Sequence, residues 1–275
     1  MPQITGTTRL LGVIGNPIAH SLSPVIHNAA IAHLGLDCIY VAFPVTSANL
    51  ATALDGFDAI GVIGCSVTIP HKQAIIPLLA DITPLAQAVG AVNTIWKTPT
   101  GWQGTNTDVA GFISPLAAMQ RDWARTTAVI LGNGGAARAI VAGCHQLGCG
   151  QIQVVGRDGA KLAEFRHSWQ DIHLTTNDNN QPQPVNFQTH LWDELPTLIT
   201  QSNLLLVNST PIGMHPQIAD SPISEDIMKG LSQKAIDGVE MLVQQGAVAF
   251  ELWLEQSAPV DIMRQALLDR FFNLD

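Results

Sequence analysis

The run with the clearest chemical signature is Gly132-Asn133-Gly134-Gly135-Ala136-Ala137. It follows an apolar stretch at 127–131 and opens a helical pattern over 135–147. In that context Gly132 permits a tight turn and Gly134 lets backbone N–H groups approach a pyrophosphate. Ala137 lets the helix pack on its strand. Asn133, Gly135 and Ala136 complete the cradle, and the helix N-terminus adds about half a positive charge. The chemistry implied is dinucleotide binding. The next strand, 151–155, leads into Gly156-Arg157-Asp158. The planar cation of Arg157 suits a ribose 2′-phosphate and favours NADP over NAD. A carboxylate at Asp158 would repel that phosphate if it faced it, so capping of the following helix is its alternative use.

Other chemistries find less support. Cys38, Cys65, Cys144 and Cys149 show no CxxC spacing, and the nine histidines form no paired-ligand pattern. No structural metal is expected, and free thiols fit a reducing, cytoplasmic setting. A net charge of −9 without clustered Lys and Arg argues against nucleic acid. No apolar run is long enough to span a bilayer, and no signal-like core opens the chain. With 47% hydrophobic and 13% charged residues, the composition is that of packed globular domains.

The elements that must carry these residues alternate. Strand-like runs at 10–14, 38–45 and 59–67 are interleaved with helical runs at 23–34, 49–54 and 70–79. Ser23 is read as an N-cap with Pro24 at the first helical position. This βαβαβα order predicts an α/β fold: an N-terminal open, parallel-type α/β domain. A second series, with strands at 127–131, 151–155 and 204–207, predicts a Rossmann-like dinucleotide-binding domain. The polar segment 177–184 reads as a surface excursion. A last helical stretch over 239–254 continues through 261–272. The expected domains are 1–107, completed by helices in 239–275, and 108–238.

Seven motifs, in order, resemble the shikimate dehydrogenase family along nearly the whole chain. They are Ser21-Leu22-Ser23-Pro24, Ser66-Val67-Thr68-Ile69-Pro70-His71-Lys72, Gly90-Ala91-Val92-Asn93-Thr94 and Gly104-Thr105-Asn106-Thr107-Asp108. After the glycine turn come Asn208-Ser209-Thr210-Pro211-Ile212-Gly213-Met214 and the run from Asp237 to Gln245. The resemblance implies reversible NADPH-dependent reduction of 3-dehydroshikimate to shikimate, in aromatic amino-acid (chorismate) biosynthesis. It implies a substrate-binding N-terminal domain to which the final helix returns, with catalysis in the cleft between domains.

The same resemblance implies the site. Hydride addition builds negative charge on the ketone oxygen, and Lys72 would stabilise it, with Asp108 as partner. Asn93 and Thr68 would hold ring hydroxyls, Ser21 and Ser23 the carboxylate, and Gln245 would reach in from the last helix. Thr210, Gly213 and Gly238 would line the nicotinamide. Many relatives carry Asn at the substrate-contacting position of Ser66. Between Leu231 and Ala235 the family's strand-plus-helix unit, with its substrate-contacting tyrosine, is missing by roughly two dozen residues, about the size of such a unit. The only tyrosine, Tyr40, lies in the second strand. The expected remedy is that 234–237 takes the vacated sheet position beside 204–207 by a right-handed crossover through a helix near 225–231. Two alternatives accompany the main reading: a quinate/shikimate enzyme with relaxed cofactor use, and a catalytically impaired ligand-binding relative. The partners expected are small molecules, with the protein a monomer or a homodimer.

Overall fold

A computed structural model describes residues 4–177, 179–200, 203–212, 220–223 and 238–272. Its contacts divide the chain into two units, Met1–Pro115 with Asp237–Asp275, and Leu116–Ile236.

The first unit opens with β1 (Arg9–Gly15), α1 (Ser23–His33), β2 (Cys38–Pro44), α2 (Leu50–Ala59) and β3 (Val62–Val67). A single turn α3 (His71–Ala74), the short β4 (Asp81–Ile82) and α4 (Pro84–Val89) follow. The hairpin β5 (Thr94–Thr98) and β6 (Gly101–Thr105) then leads to α5 (Asp108–Ala117). The strands form one six-stranded sheet in the order β2-β1-β3-β5-β6-β4. β1 is parallel to both β2 and β3, while β5 runs antiparallel to β3 and to β6. The parallel half matches the alternating sequence pattern. The antiparallel hairpin was not read from sequence, because Thr, Lys, Gly and Gln interrupt its apolar periodicity.

Two local readings need correction. Ser23 is the first helical residue rather than the cap, which is Leu22 without a side-chain cap bond. The helix expected over 70–79 is one α-turn followed by a 3-10 turn at Ile76–Leu78. Pro77 lacks the N–H that would continue the ladder.

Among the described residues the second unit has a four-stranded, all-parallel sheet. Its strands are β7 (Thr127–Leu131), β8 (Gln151–Gly156), β11 (Gln188–Leu191) and β12 (Leu204–Asn208), in the order β11-β8-β7-β12. Helices α6 (Gly135–Gln146), α7 (Gly159–His167) and α8 (Leu195–Leu198) accompany it. The polar 177–184 segment is largely an antiparallel ribbon: β9 (His173–Thr176) pairs with the fully exposed β10 (Asn179–Pro184). The strand and helix expected within 224–237 lie outside the described residues.

The chain closes with α9 (Gly238–Leu254) and α10 (Val260–Phe272), which belong to the first unit. Glu255, at φ 52°, ends α9, and Pro259 stands just before α10. Each face of the six-stranded sheet has its own core. One gathers Leu11, Val13, Tyr40, Phe250 and Trp253 with α1, α9 and α10; the other gathers Ile14, Cys65, Val67 and Phe57.

Candidate active site and dinucleotide turn

Gly90 ends α4 in the left-handed region, at φ 65°, which glycine adopts without a Cβ penalty. That turn returns the chain so that Val92 N–H donates to the Lys72 carbonyl at 2.8 Å. One residue later the Asn93 carbonyl accepts from Val67 N–H at 2.7 Å. Backbone bonds therefore set Lys72 and Asn93 side by side at the carboxyl end of β3, where open α/β sheets place their ligands.

The Asn93 amide has one orientation. Its Oδ1 accepts the Thr107 backbone N–H at 2.7 Å, so its Nδ2 must face the other way. There Nδ2 donates to Asp108 Oδ1 at 2.9 Å, Thr107 Oγ1 at 3.0 Å and Gln245 Oε1 at 3.3 Å. The other Asp108 oxygen accepts from Lys72 Nζ at 2.5 Å. The lysine and aspartate side chains are only 15% and 8% exposed, so water screens this pair poorly. Asp108 is free for this role because Asn106 takes the helix-start duty: its Oδ1 accepts Val109 N–H at 3.3 Å. Residues distant in sequence thus converge on one carboxylate, and Gln245 arrives from α9 although 152 positions separate it from Asn93.

Ser66 follows Gly64 on the sheet face beneath Trp253, opposite the face of Cys65 and Val67. Its Oγ accepts the Tyr40 hydroxyl at 2.7 Å. Ser23 is buried as well, and Ser21 Oγ accepts the Ser23 N–H at 3.3 Å. Thr68 is held by its backbone, through bonds to Ile14 and His71. Neither Thr107 nor Tyr40, the lone tyrosine, has a site role in the sequence reading. Thr107 lies in the Gly104–Asp108 motif, where Asp108 is the residue with evident chemistry. Tyr40 reads as an ordinary strand residue until the fold brings it to Ser66.

In the second unit, Gly132 has φ 103°, the left-handed region that the expected turn requires. A Cβ there would meet Ser209 Oγ and Thr210 Cγ2, so Thr210 stands against the glycine turn. Gly134 precedes α6 with open space where a Cβ would be, and Ala137 is fully buried beneath the helix. Asn133, Gly135 and Ala136 remain partly accessible around that helix start. Asp158 caps α7, its Oδ1 accepting the N–H groups of Ala160 and Lys161 at 2.9 and 3.1 Å. Its charge is thereby engaged, and Arg157 beside it is exposed. An open glycine turn, a helix start and a free-standing Arg fit a phosphorylated dinucleotide. Gly238 begins α9, and Gly213 lies outside the described residues.

Comparison with known proteins agrees. Residues 13–95 match the family model "Shikimate dehydrogenase substrate binding domain", and 238–268 match "Shikimate 5'-dehydrogenase C-terminal domain". The shikimate dehydrogenase (NADP(+)) of Trichormus variabilis is 54% identical, covering 96% of this chain and 98% of its own. That alignment spans 292 positions, more than the 275 residues here, as residues missing from this chain require. A shikimate dehydrogenase solved with NADP+ superposes with a TM-score of 0.79 at 30% identity, covering 98% of this chain and 97% of that one. The Listeria monocytogenes enzyme, solved with shikimate and NAD, gives 0.78 at 30% identity over 97% and 99%. Among the described residues no helix is long and apolar enough to cross a membrane. The chain belongs to the shikimate dehydrogenase family of NADP-dependent oxidoreductases.

Proposed function

We propose that this chain reversibly reduces 3-dehydroshikimate to shikimate with NADPH. The observation that carries the reading is the Lys72–Asp108 pair at 2.5 Å, with Asn93 donating to the same carboxylate and Gln245 accepting from Asn93. Bound NADPH supplies a hydride to the ketone carbon. The chain's own residues must then manage the oxygen. Lys72 holds a proton at Nζ and places positive charge where the oxygen becomes an alkoxide. Asp108 keeps that ammonium in place and accepts a neighbouring substrate hydroxyl. Asn93 fixes the carboxylate, Gln245 braces the Asn93 amide and both face the ring, while Ser21, Ser23, Ser66 and Thr68 take the remaining polar groups.

Gly132 to Ala136 cradle the pyrophosphate, Arg157 meets the 2′-phosphate, and Thr210, Gly213 and Gly238 serve the nicotinamide end. The engaged carboxylate of Asp158 supports NADP over NAD, since it no longer opposes a phosphate beside Arg157. The test is initial-rate spectrophotometry with shikimate against quinate and NADP against NAD. Preferred turnover of shikimate with NADP is expected. Preference for quinate would point to the quinate-using alternative, and tight shikimate binding without turnover to a ligand-binding relative.

A further inference from the structure

The substrate serines raise a question of proton direction. A serine hydroxyl has a single proton, and it aids an anionic substrate only if that proton points outward. Ser66 sits against the phenol of Tyr40, which is itself 1% exposed and therefore out of reach of substrate.

We propose that Tyr40 is a positioning residue that turns the Ser66 hydroxyl toward the substrate, an inference that rests on the functional reading above. The phenol O–H donates to Ser66 Oγ at 2.7 Å. The Ser23 hydroxyl is a further hydrogen-bonding neighbour of the phenol. The 2.7 Å bond commits the phenol's one proton to Ser66 Oγ. The Ser66 proton is then not spent on Tyr40 and remains for a substrate oxygen. Burial drives the phenol pKa upward, which keeps it a donor throughout the working pH range.

The phenol is also held still. Its ring stacks on His27 at 4.3 Å and tilts against Trp253 at 5.9 Å. Asn28 brackets the Tyr40 backbone, donating to its carbonyl at 2.8 Å and accepting its N–H at 2.9 Å. A fixed donor is what a serine with free χ1 rotation lacks.

The experiment is a double-mutant cycle on the full chain with Tyr40→Phe, Ser66→Ala and both together, read by steady-state kinetics. Tyr40→Phe should raise KM for shikimate about three- to tenfold, the worth of one neutral hydrogen bond, with kcat and KM for NADP nearly unchanged. The double variant should be no worse than Ser66→Ala alone. Independent, multiplying losses, or kcat falling together with both KM values rising, would show a merely structural role and overturn the proposal. If Tyr40→Phe fails to fold, Ser66→Ala decides: an unchanged KM for shikimate overturns it. Absence of shikimate turnover and binding in the unaltered enzyme would defeat the functional reading and this inference together. Normal turnover with a multiplying cycle defeats the inference alone.

Discussion

Replacing Lys72 with Met separates what the ammonium does for chemistry from what it does for folding. Methionine keeps an unbranched stem of similar girth but offers no charge and no donor. The ketone oxygen then develops its charge without the nearest cation. Loss of one such group lowers kcat by about 10²–10³-fold. Shikimate affinity should fall less, by roughly ten- to a hundredfold, the worth of one charge-assisted hydrogen bond. The folding cost follows from the same geometry. Asp108, 8% exposed, keeps the Asn93 Nδ2 at 2.9 Å but loses its cation. Breaking a buried pair costs about 3–5 kcal/mol, and the remaining donor puts this case at the low end.

The variant Lys72→Met/Asp108→Asn resolves the ambiguity. It removes both charges, and the new amide still accepts from Asn93, so much of the stability should return while activity stays lost. Urea unfolding measures the first quantity and NADPH absorbance the second. A Lys72→Met enzyme with kcat within about threefold of wild type would refute the electrostatic argument. Recovery of activity alongside stability in the double variant would show that the pair only holds the fold.

Three further outcomes are expected. Gly134→Ala should fold normally, since nothing lies within 4 Å of the new Cβ; it should nevertheless raise KM for NADP by at least about tenfold by blocking backbone approach. Thermal melting and cofactor titration check both halves. Gly111→Ala should do the reverse: its Cβ would come within 2.7 Å of Gln245 Cβ and 2.8 Å of the Met241 carbonyl. It should destabilise by about 1–3 kcal/mol and raise KM for shikimate, as unfolding and kinetics report. His27→Phe should flatten the acid side of the stability curve. Burial lowers the His27 pKa from 6.5 to about 3, and neither ring nitrogen has a hydrogen-bond partner among the described residues. As pH falls through that window the unfolded chain binds a proton that the folded chain refuses, so stability drops by up to ~1.4 kcal/mol per pH unit. Urea unfolding at about pH 5 and about pH 7.5 should show the difference shrinking in the variant.

What could be read from sequence was whatever depends on neighbours along the chain. The glycine turn, the strands on either side of it and the Asp158 cap are local, since turn geometry and capping act within a few residues. Lys72 and Asp108 were legible only through motif resemblance, because spacing does not bring positions 36 apart into contact. What makes Asn93 the hub of the site stayed hidden. Asn93 is oriented by the Thr107 backbone, a pairing created by the β5–β6 hairpin, and that hairpin has no clean alternation. Tyr40 stayed hidden for the same reason, since its link to Ser66 runs across β1 between β2 and β3.

A stretch before α9 that is short by one strand-plus-helix unit bears directly on Gln245: a shift of one strand spacing, ~4.8 Å, at the start of the last long helix would carry it away from its partners. The packing of α9 prevents that shift from within the first unit. Glu240, in its first turn, accepts both Arg264 Nε and Nη2 at 2.8 Å, a two-point clamp to α10 that holds the carboxyl below its usual pKa range. Gly246 lies so close to α1 that a Cβ would come within 2.7 Å of Ile26. Trp253 Nε1 donates to the Ile95 carbonyl at 2.9 Å, and its indole covers Gly64. A clamp, a close helix approach and a side-chain bond, spread from the first turn of α9 to its last, fix both the tilt and the axial position of the helix. Gln245 therefore meets Asn93 through contacts made after residue 237, and the length of the chain leading into α9 does not set where that glutamine lands.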